Sequence, residues 1–400
     1  MAVVPGAGGG MIPVAGLNGG APRGDAPISC RSVLDDAYHL ISSGQIEQGM
    51  ELLMGGLSEL RRGCGPDEWD TVFQAEAADH PVARLVWQDP FTAHSFRKPR
   101  GYPGDAALLD YIYGCTPIPA ETSEIGQAIF QFNRERQAPR SVRARAQVLA
   151  GMIDETAALF PSPRILSVAS GHLREAALST AVAEGRIGEL VALDQDAESL
   201  TQVRRDFGDK GVTAVSGSVR SILAEKVHFE NMHLVYAAGL YDYLSDRVAS
   251  RLTRLMFDML APGGRLLVAN FTPDLADIGY IESFMAWKLI YRDPDQLTAL
   301  ARDIASSEWH SHCLFWDEHE SIIFLEIVKR RRGRTIMSFG PGITSAVVPG
   351  LKRVSVSSDL IARRRHGHDG ANGNGKTSGN GNGNGNGRHV EHGPEAESGA

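Results

Sequence analysis

The sequence predicts an α/β protein: a doubly wound, Rossmann-like sheet, mostly parallel with an antiparallel C-terminal hairpin, preceded by a helical region. Two observations lead to this prediction. From residue 163 onward, short apolar runs alternate with amphipathic segments, which is the pattern of βαβ units. Before that point, apolar residues recur at spacings of three and four, which is typical of amphipathic helices.

Four segments are expected along the chain. Residues 1–28 and 336–400 are rich in Gly, Pro, Asn and Ser, so we expect a disordered N-terminal tail and a mostly disordered C-terminal tail. Residues 29–160 are predicted to form a helical lid and substrate domain, with a structural or dimerising role as the alternative. Residues 161–335 are predicted to form the ligand-binding α/β domain.

Composition narrows the classes of partner. No apolar run approaches the roughly 20 residues of a membrane span, and no signal segment is recognisable, so we expect a cytoplasmic protein without integral membrane association. A net charge of −8 argues against nucleic acid as a partner, and the basic run at residues 329–332 is interpreted as a solvated strand exit. The four cysteines lack metal-ligand spacing, so neither a disulfide framework nor a metal site is expected. The oligomeric state stays open.

The helical half contains one insert without regular structure. Apolar spacing predicts helices from about Arg31 to Phe160, with Pro139 as a break between the last two. The insert, residues 97–105, combines two prolines and two glycines with basic, aromatic and acidic side chains. It is interpreted as a functional loop, with an ordinary turn between helices as the alternative.

Five strands and a hairpin follow in order. Strands are predicted at residues 164–170, 190–193, 212–215, 233–237 and 265–271, the last one after a Pro-Gly-Gly turn at residues 262–264. A crossover helix lined by Val248, Leu252 and Met256 is expected between the fourth and fifth strands, with Ser245 or Asp246 as its N-cap. Residues 312–316 and 321–328, separated by a polar turn, are predicted to form the antiparallel hairpin.

The first two strand ends carry most of the functional information, since ligands of such sheets lie beyond the carboxyl ends of the strands. A turn of small residues with a single glycine, Gly171, follows the first strand. Asp194 follows the second strand, about 23 residues further on, close to the ~20 expected for an acid that binds ribose hydroxyls. The alternative for Asp194 is an N-cap, a role that Asp196 could equally fill.

The remaining strand ends complete a candidate site. Ser218 follows the third strand, where an adenine ring would lie. After the fourth strand come Tyr241, Asp242 and Tyr243, which are predicted to form an aromatic lip of the site. The order of loop, acid, serine turn and aromatic lip favours S-adenosylmethionine (SAM) over NAD as cofactor. The predicted cofactor-binding residues are Ser167, Ala169, Ser170, Gly171, Asp194, Gln195, Ser218, Val219 and Gly239.

With these residues assembled, the chain from about Phe96 to Lys329 resembles the bacterial methyltransferases of extracellular factor biosynthesis, which make the methyl ester of 3-hydroxypalmitic acid. The resemblance lies in residues 98–105, 239–244 and 287–292. It implies a class I methyltransferase fold, SAM as methyl donor, and carboxyl O-methylation of a small acid such as a 3-hydroxy fatty acid. The sequence departs from the wider superfamily in having few glycines in the first loop and His233 where an aspartate often opens the fourth strand.

A carboxylate acceptor is already ionised at pH 7, so it needs a cation to orient it but no general base. Arg100 and Arg292 are the candidates, although either could bind the carboxylate of SAM instead; Tyr241 and Asp242 complete the predicted catalytic set. The predicted substrate-binding residues are Tyr102, Asp105, Tyr243, Asn270, Trp287 and Tyr291. Two alternatives remain: O- or N-methylation of another small natural product, which would need Asp242 or a histidine as base, and a non-catalytic SAM-binding or partner-binding protein.

Overall fold

The computed structural model describes residues 29–331 and 353–355. The predicted tail at residues 1–28 therefore lies outside the described residues, as does all of the predicted C-terminal tail except Arg353–Ser355. Within the described ranges the chain contains fifteen α-helices, a π-helical turn, two 3-10 turns and eight strands. No helix among these residues is long and apolar enough to cross a membrane.

Between residue 29 and the first strand the structure has nine α-helices, and the apolar spacing predicts helices in this region. They are α1 (Cys30–Ser42), α2 (Ile46–Gly63), α3 (Pro66–Glu68), α4 (Gln74–Asp79), α5 (Pro81–Val86), α6 (Pro90–Arg97), α7 (Ala106–Tyr113), α8 (Glu124–Arg134) and α9 (Gln137–Leu159), with the π-helical turn at Trp69–Phe73. The expected break at Pro139 needs correction, since α9 begins two residues before it. Proline is tolerated there because amides in the first helical turn have no partner within the helix.

The sheet follows the predicted order of elements. Its strands are β1 (Arg164–Val168), β2 (Glu189–Asp194), β3 (Val212–Ser216), β4 (Met232–Ala237), β5 (Leu260–Phe271), β6 (Trp309–Trp316), β7 (Ile322–Lys329) and β8 (Arg353–Ser355). The helices among them are α10 (Thr180–Ala183), α11 (Ala197–Phe207), α12 (Val219–Leu223), α13 (Asp246–Asp258), α14 (Ile278–Phe284) and α15 (Pro294–Ala299). The Pro-Gly-Gly tripeptide lies inside β5, where the pairing with β4 shifts register, and not before the strand as expected.

The strand order is β3-β2-β1-β4-β5-β7-β6-β8. Strands β1 to β5 are parallel, and β7 pairs antiparallel with both β5 and β6, which confirms the predicted hairpin. The order runs in opposite directions on the two sides of β1 and β4. This is the topological switch point, beyond which ligands of doubly wound sheets bind.

Each face of the sheet is covered by a different set of helices. Successive strand residues point to opposite faces, so Ile165 packs in the cluster that contains α1, α2 and α9, while Leu166 packs in the cluster that contains α13. The near-continuous apolar runs of β1 and β2 follow from burial on both faces. The helices before the sheet therefore share a hydrophobic core with one of its faces.

Candidate active site

A cavity of about 940 Å³ lies at the switch point. Its walls come from the carboxyl ends of the first four strands, from α7 and α9, and from the loop at residues 98–105. Twelve of the residues predicted to bind cofactor or substrate, or to act in catalysis, line it: Arg100, Tyr102, Ser167, Ala169, Ser170, Gly171, Asp194, Gln195, Ser218, Val219, Gly239 and Tyr243. The structure thus brings together residues that are more than 140 positions apart in the chain.

The first loop is a tight turn. Ala169, Gly171 and Leu173 all have left-handed backbone conformations, with φ of 55°, 54° and 53°. The chain then enters a short 3-10 turn at Arg174–Ala177. Two polar atoms of this loop, Ser170 Oγ and His172 Nε2, are buried and have no hydrogen-bond partner within the described residues.

Asp194 connects the first and second strand ends. Its Oδ2 accepts a hydrogen bond of 2.8 Å from the Gly171 amide, and its Oδ1 accepts one of 2.8 Å from the Asp196 amide. Burial raises the pKa of this carboxyl above its usual value. An ionised carboxylate has about four acceptor positions, so these amide donors do not occupy all of them. The N-cap of α11 is Asp196 and not Asp194, so the alternative role considered for Asp194 belongs to Asp196.

Ser218 lines the cavity but has a structural role as well. It is the N-cap of α12, where its hydroxyl accepts a hydrogen bond from the Ser221 amide in a capping box. The predicted contact with adenine would therefore have to use the remaining capacity of this hydroxyl.

The loop at residues 98–105 closes one side of the cavity. Arg100 Nη1 donates to Asp196 Oδ2 at 2.7 Å and to Ser199 Oγ at 3.2 Å, and Nη2 lies 3.1 Å from Glu198 Oε2. These partners belong to the N-cap and first turn of α11. Carboxylates of the chain thus pair with its guanidinium, and the predicted role of Arg100 with an acceptor carboxylate stays a prediction.

The three segments that carry the family resemblance meet at one point. Trp287 Nε1 donates a hydrogen bond of 2.7 Å to Tyr243 Oη, and both side chains lie against Gly104. A Cβ atom at Gly104 would come within 2.3 Å of Trp287 Cζ2. Tyr243 lines the cavity, whereas Trp287 lines a separate apolar crevice of about 30 Å³. This contact makes the loop at residues 98–105 and the aromatic lip one packed unit.

The second predicted arginine, Arg292, does not line the cavity. Arg292 is 1% exposed and pairs with Asp246 at 2.9 Å; it also donates to the backbone oxygens of Tyr241 and Leu244 and to Asn270 Oδ1. The chain itself uses its donors, and its expected role with a ligand carboxylate stays a prediction. The guanidinium instead ties the ends of β4 and β5 together.

Four further predicted residues have mainly internal contacts. Tyr241 Oη bonds to Thr253, and Asp242 accepts from the Phe271 amide at 2.8 Å; burial raises the pKa of Asp242 to about 6. Asp105 caps α7 through the Leu108 amide and contacts His94. The Tyr291 hydroxyl is buried without a partner among the described residues. None of these four lines the cavity, so their predicted direct roles stay predictions.

The cavity also has charged walls that the sequence analysis did not single out. Arg145, His172 and Glu175 line it and are 6%, 7% and 7% exposed. Burial raises the pKa of Glu175, whose Oε1 accepts a hydrogen bond of 2.7 Å from Tyr236 Oη. His172 Nδ1 lies 2.9 Å from Asp110 Oδ2. Among the described residues, no group of His, Cys, Asp and Glu side chains is arranged to hold a metal ion.

Comparison with known proteins gives one match in sequence and several in fold. No protein-family model matches the chain. A segment is 35% identical over 164 residues to the ubiquinone/menaquinone biosynthesis C-methyltransferase UbiE of Ectopseudomonas mendocina, covering 38% of this chain. The matched segment spans 61% of that protein's length.

Comparison with solved structures finds, among others, the following two proteins. A protein of Bordetella parapertussis, described as a possible exported protein, is 16% identical and covers 76% of this chain and 97% of its own, with a TM-score of 0.49. The N-methyltransferase NodS of Bradyrhizobium japonicum, in complex with S-adenosylhomocysteine, is 11% identical and covers 44% and 83%, with a TM-score of 0.34.

The strand order of the sheet and the position of the cavity confirm the predicted fold class. The chain has the class I methyltransferase fold, a Rossmann-like, doubly wound sheet with an antiparallel C-terminal hairpin and a helical N-terminal region.

Proposed function

We propose that this protein is a SAM-dependent methyltransferase. One observation carries the proposal: the cavity at the switch point contains Asp194 and the tight first loop on one wall and the end of β4 on another. Ligand cavities of about 300 to 1,000 Å³ are usual for small molecules, so 940 Å³ has room for a donor and an acceptor together. The sequence similarity to a C-methyltransferase supports the same activity.

The residues present fit SAM. Asp194 has free acceptor positions for ribose hydroxyls. In the first loop, Ser170 Oγ and His172 Nε2 are buried without a hydrogen-bond partner among the described residues, so a bound ligand can supply one. When bound, SAM would supply a sulfonium methyl group whose carbon an acceptor attacks in line, while the bond from this carbon to sulfur breaks and S-adenosylhomocysteine leaves. The chain's own task is then to bind, orient and shield, because in-line transfer depends on alignment at near-attack distance.

Shielding is the function we assign to the loop at residues 98–105. Arg100 fastens it to the start of α11, and Gly104 packs it against Trp287 and Tyr243. Tyr102 is half-buried in the cavity wall, with a pKa raised by burial and then by nearby Asp194. A neutral phenol at this place excludes water without adding charge.

For the acceptor, we propose carboxyl O-methylation of a small acid such as a 3-hydroxy fatty acid. The support is the family resemblance in residues 98–105, 239–244 and 287–292, together with the buried cation Arg145 in the cavity wall. The apolar crevice behind Trp287, lined by Phe91, Val142 and Leu289, offers a surface for an alkyl chain. At about 30 Å³ it would have to widen to admit a long alkyl chain. A cytoplasmic location remains a prediction.

One observation favours a second candidate, the O- or N-methylation of a neutral acceptor. Arg174 donates to Asp110, and His172 Nδ1 lies 2.9 Å from Asp110 Oδ2. The other ring nitrogen, Nε2, is buried and has no hydrogen-bond partner among the described residues, and an imidazole nitrogen in the wall of the cavity can accept the proton of a hydroxyl or amine.

Transfer of a labelled methyl group from SAM to matched acceptors separates these candidates. We expect 3-hydroxypalmitate to be esterified and 1,3-hexadecanediol, which lacks the carboxylate, to be inert. Methylation of the diol, with a rate that falls at low pH and is lost in His172→Gln, would contradict carboxyl methylation and support the second candidate. SAM binding without transfer to any acceptor would indicate a non-catalytic protein.

A further inference from the structure

One buried arginine in the cavity wall has no carboxylate partner. Among the described residues, three arginines are less than 9% exposed: Arg145, Arg265 and Arg292. Arg265 pairs with Glu155 at 2.8 Å and with Glu326, and Arg292 pairs with Asp246 at 2.9 Å. No described carboxylate lies within ion-pair distance of Arg145.

The contacts of Arg145 are neutral. It projects from α9, and its Nη1 donates a hydrogen bond of 2.8 Å to the backbone oxygen of Ala238, directly after β4. Both terminal nitrogens lie 3.7 Å from the place where a Cβ of Gly239 would be. A second hydrogen bond joins Arg145 to the Tyr113 hydroxyl. A guanidinium has five donors, so these two uncharged partners leave several of them for a ligand. The missing side chain at Gly239 leaves the guanidinium open toward the cavity.

A buried cation without a counterion is costly, which is why buried charges are generally paired or bind a charged ligand. Arginine also presents a planar pair of donors that matches a carboxylate in a bidentate way. We infer that Arg145 binds the carboxylate of a ligand in this cavity.

The carboxylate could come from either of two ligands, and this part of the inference rests on the proposed function. One is the amino-acid end of the methyl donor, and the other is the acid group of the acceptor. Glu175 lines the same cavity, buried and not ion-paired with Arg145 within 4 Å. A guanidinium and a carboxyl group that face one cavity without meeting suit the carboxylate and the ammonium group of an amino acid, which favours the donor.

Calorimetric titration with two matched pairs of probes tests the inference. S-adenosylhomocysteine carries the amino-acid end, and 5′-methylthioadenosine lacks it; 3-hydroxydecanoate carries a carboxylate, and 1,3-decanediol lacks it. In Arg145→Met we expect the affinity for one carboxylate probe to fall about 10- to 100-fold, the range for a hydrogen-bonded charge pair. The matched probe without a carboxylate should bind as before. Arg140→Met, on the exposed side of α9, is the control.

The affected pair identifies the source of the carboxylate. Loss of S-adenosylhomocysteine affinity alone assigns Arg145 to the donor, and loss of 3-hydroxydecanoate affinity alone assigns it to the acceptor. Unchanged affinity for both would overturn the inference. If Arg145→Met does not fold, Arg145→Lys takes its place, because it keeps the charge but loses the planar fork. The same probes are titrated, and the same losses of affinity are expected.

A structural role would give a different pattern. A purely structural arginine would lower the melting temperature of the ligand-free protein on replacement and leave both affinities intact, whereas we expect Arg145→Met to be about as stable as the native chain. If the native protein bound neither adenosine compound, the proposed function would fail, and the comparison of acid with diol would still test Arg145.

Discussion

Replacing Gly104 with alanine tests whether the three resembling segments form one packed unit. The added methyl group would lie 2.3 Å from Trp287 Cζ2 and 2.5 Å from Tyr243 Oη. Carbon atoms pack at about 3.5–4.0 Å, so the indole would have to move by about 1.2 Å or more. This movement breaks or stretches the 2.7 Å hydrogen bond between Trp287 and Tyr243. Overpacking of this kind lowers the free energy of unfolding by about 1–3 kcal/mol.

Denaturant unfolding of a double-mutant cycle measures the effect. Trp287→Leu removes the ring that the new methyl group meets, so Gly104→Ala should be nearly neutral in that background. We expect a coupling free energy of about 1 kcal/mol or more between the two sites. A fully stable Gly104→Ala protein, or strictly additive effects, would refute the packing that we describe.

Two other predictions concern stability. Gly55 and Gly56 are neighbours in α2, but a Cβ at Gly55 meets nothing within 4 Å, whereas one at Gly56 meets Val33 Cγ1 at 2.5 Å. Gly55→Ala should therefore raise the free energy of unfolding by about 0.5–1 kcal/mol and Gly56→Ala should lower it; equal effects in denaturant unfolding would contradict this. Burial raises the pKa of Asp242 from 3.8 to about 6, so the folded state binds the extra proton between these values. The stability of the native chain relative to Asp242→Asn should thus increase by about 2–3 kcal/mol as the pH falls from 7 to about 4, and a difference that is constant with pH in urea unfolding would contradict it.

The sheet was predictable from the sequence because its signals are local. The apolar runs at 164–168 and 189–194 are those of strands buried on both faces, and the turn residues between elements mark the boundaries. The helical half was predictable for the same reason. The start of α9 was not predictable, because a proline within a helical pattern usually marks a break. Pro139 lies instead in the first turn of α9, where proline is tolerated.

The part of the candidate site that consists of strand ends was predictable from the sequence. The roles of side chains that depend on ion pairs between distant parts of the chain were not. Asp194 and the first loop follow from topology, since the carboxyl ends of parallel strands meet at one edge. Arg100 and Arg292 carry the right chemistry, but only the fold shows that carboxylates of the chain already pair with them. Arg145 had a signal, because it lies on the apolar face of α9, three residues after Val142, where an arginine is unusual.

Calorimetric titration of S-adenosylhomocysteine into the native protein, Asp194→Ala and the exposed control Asp209→Ala tests the central claim most directly. We expect the native protein and the control to bind with dissociation constants on the order of micromolar, and Asp194→Ala to lose at least about tenfold in affinity. The absence of binding to the native protein, or equal binding by Asp194→Ala, would contradict a SAM site at the switch point of this sheet.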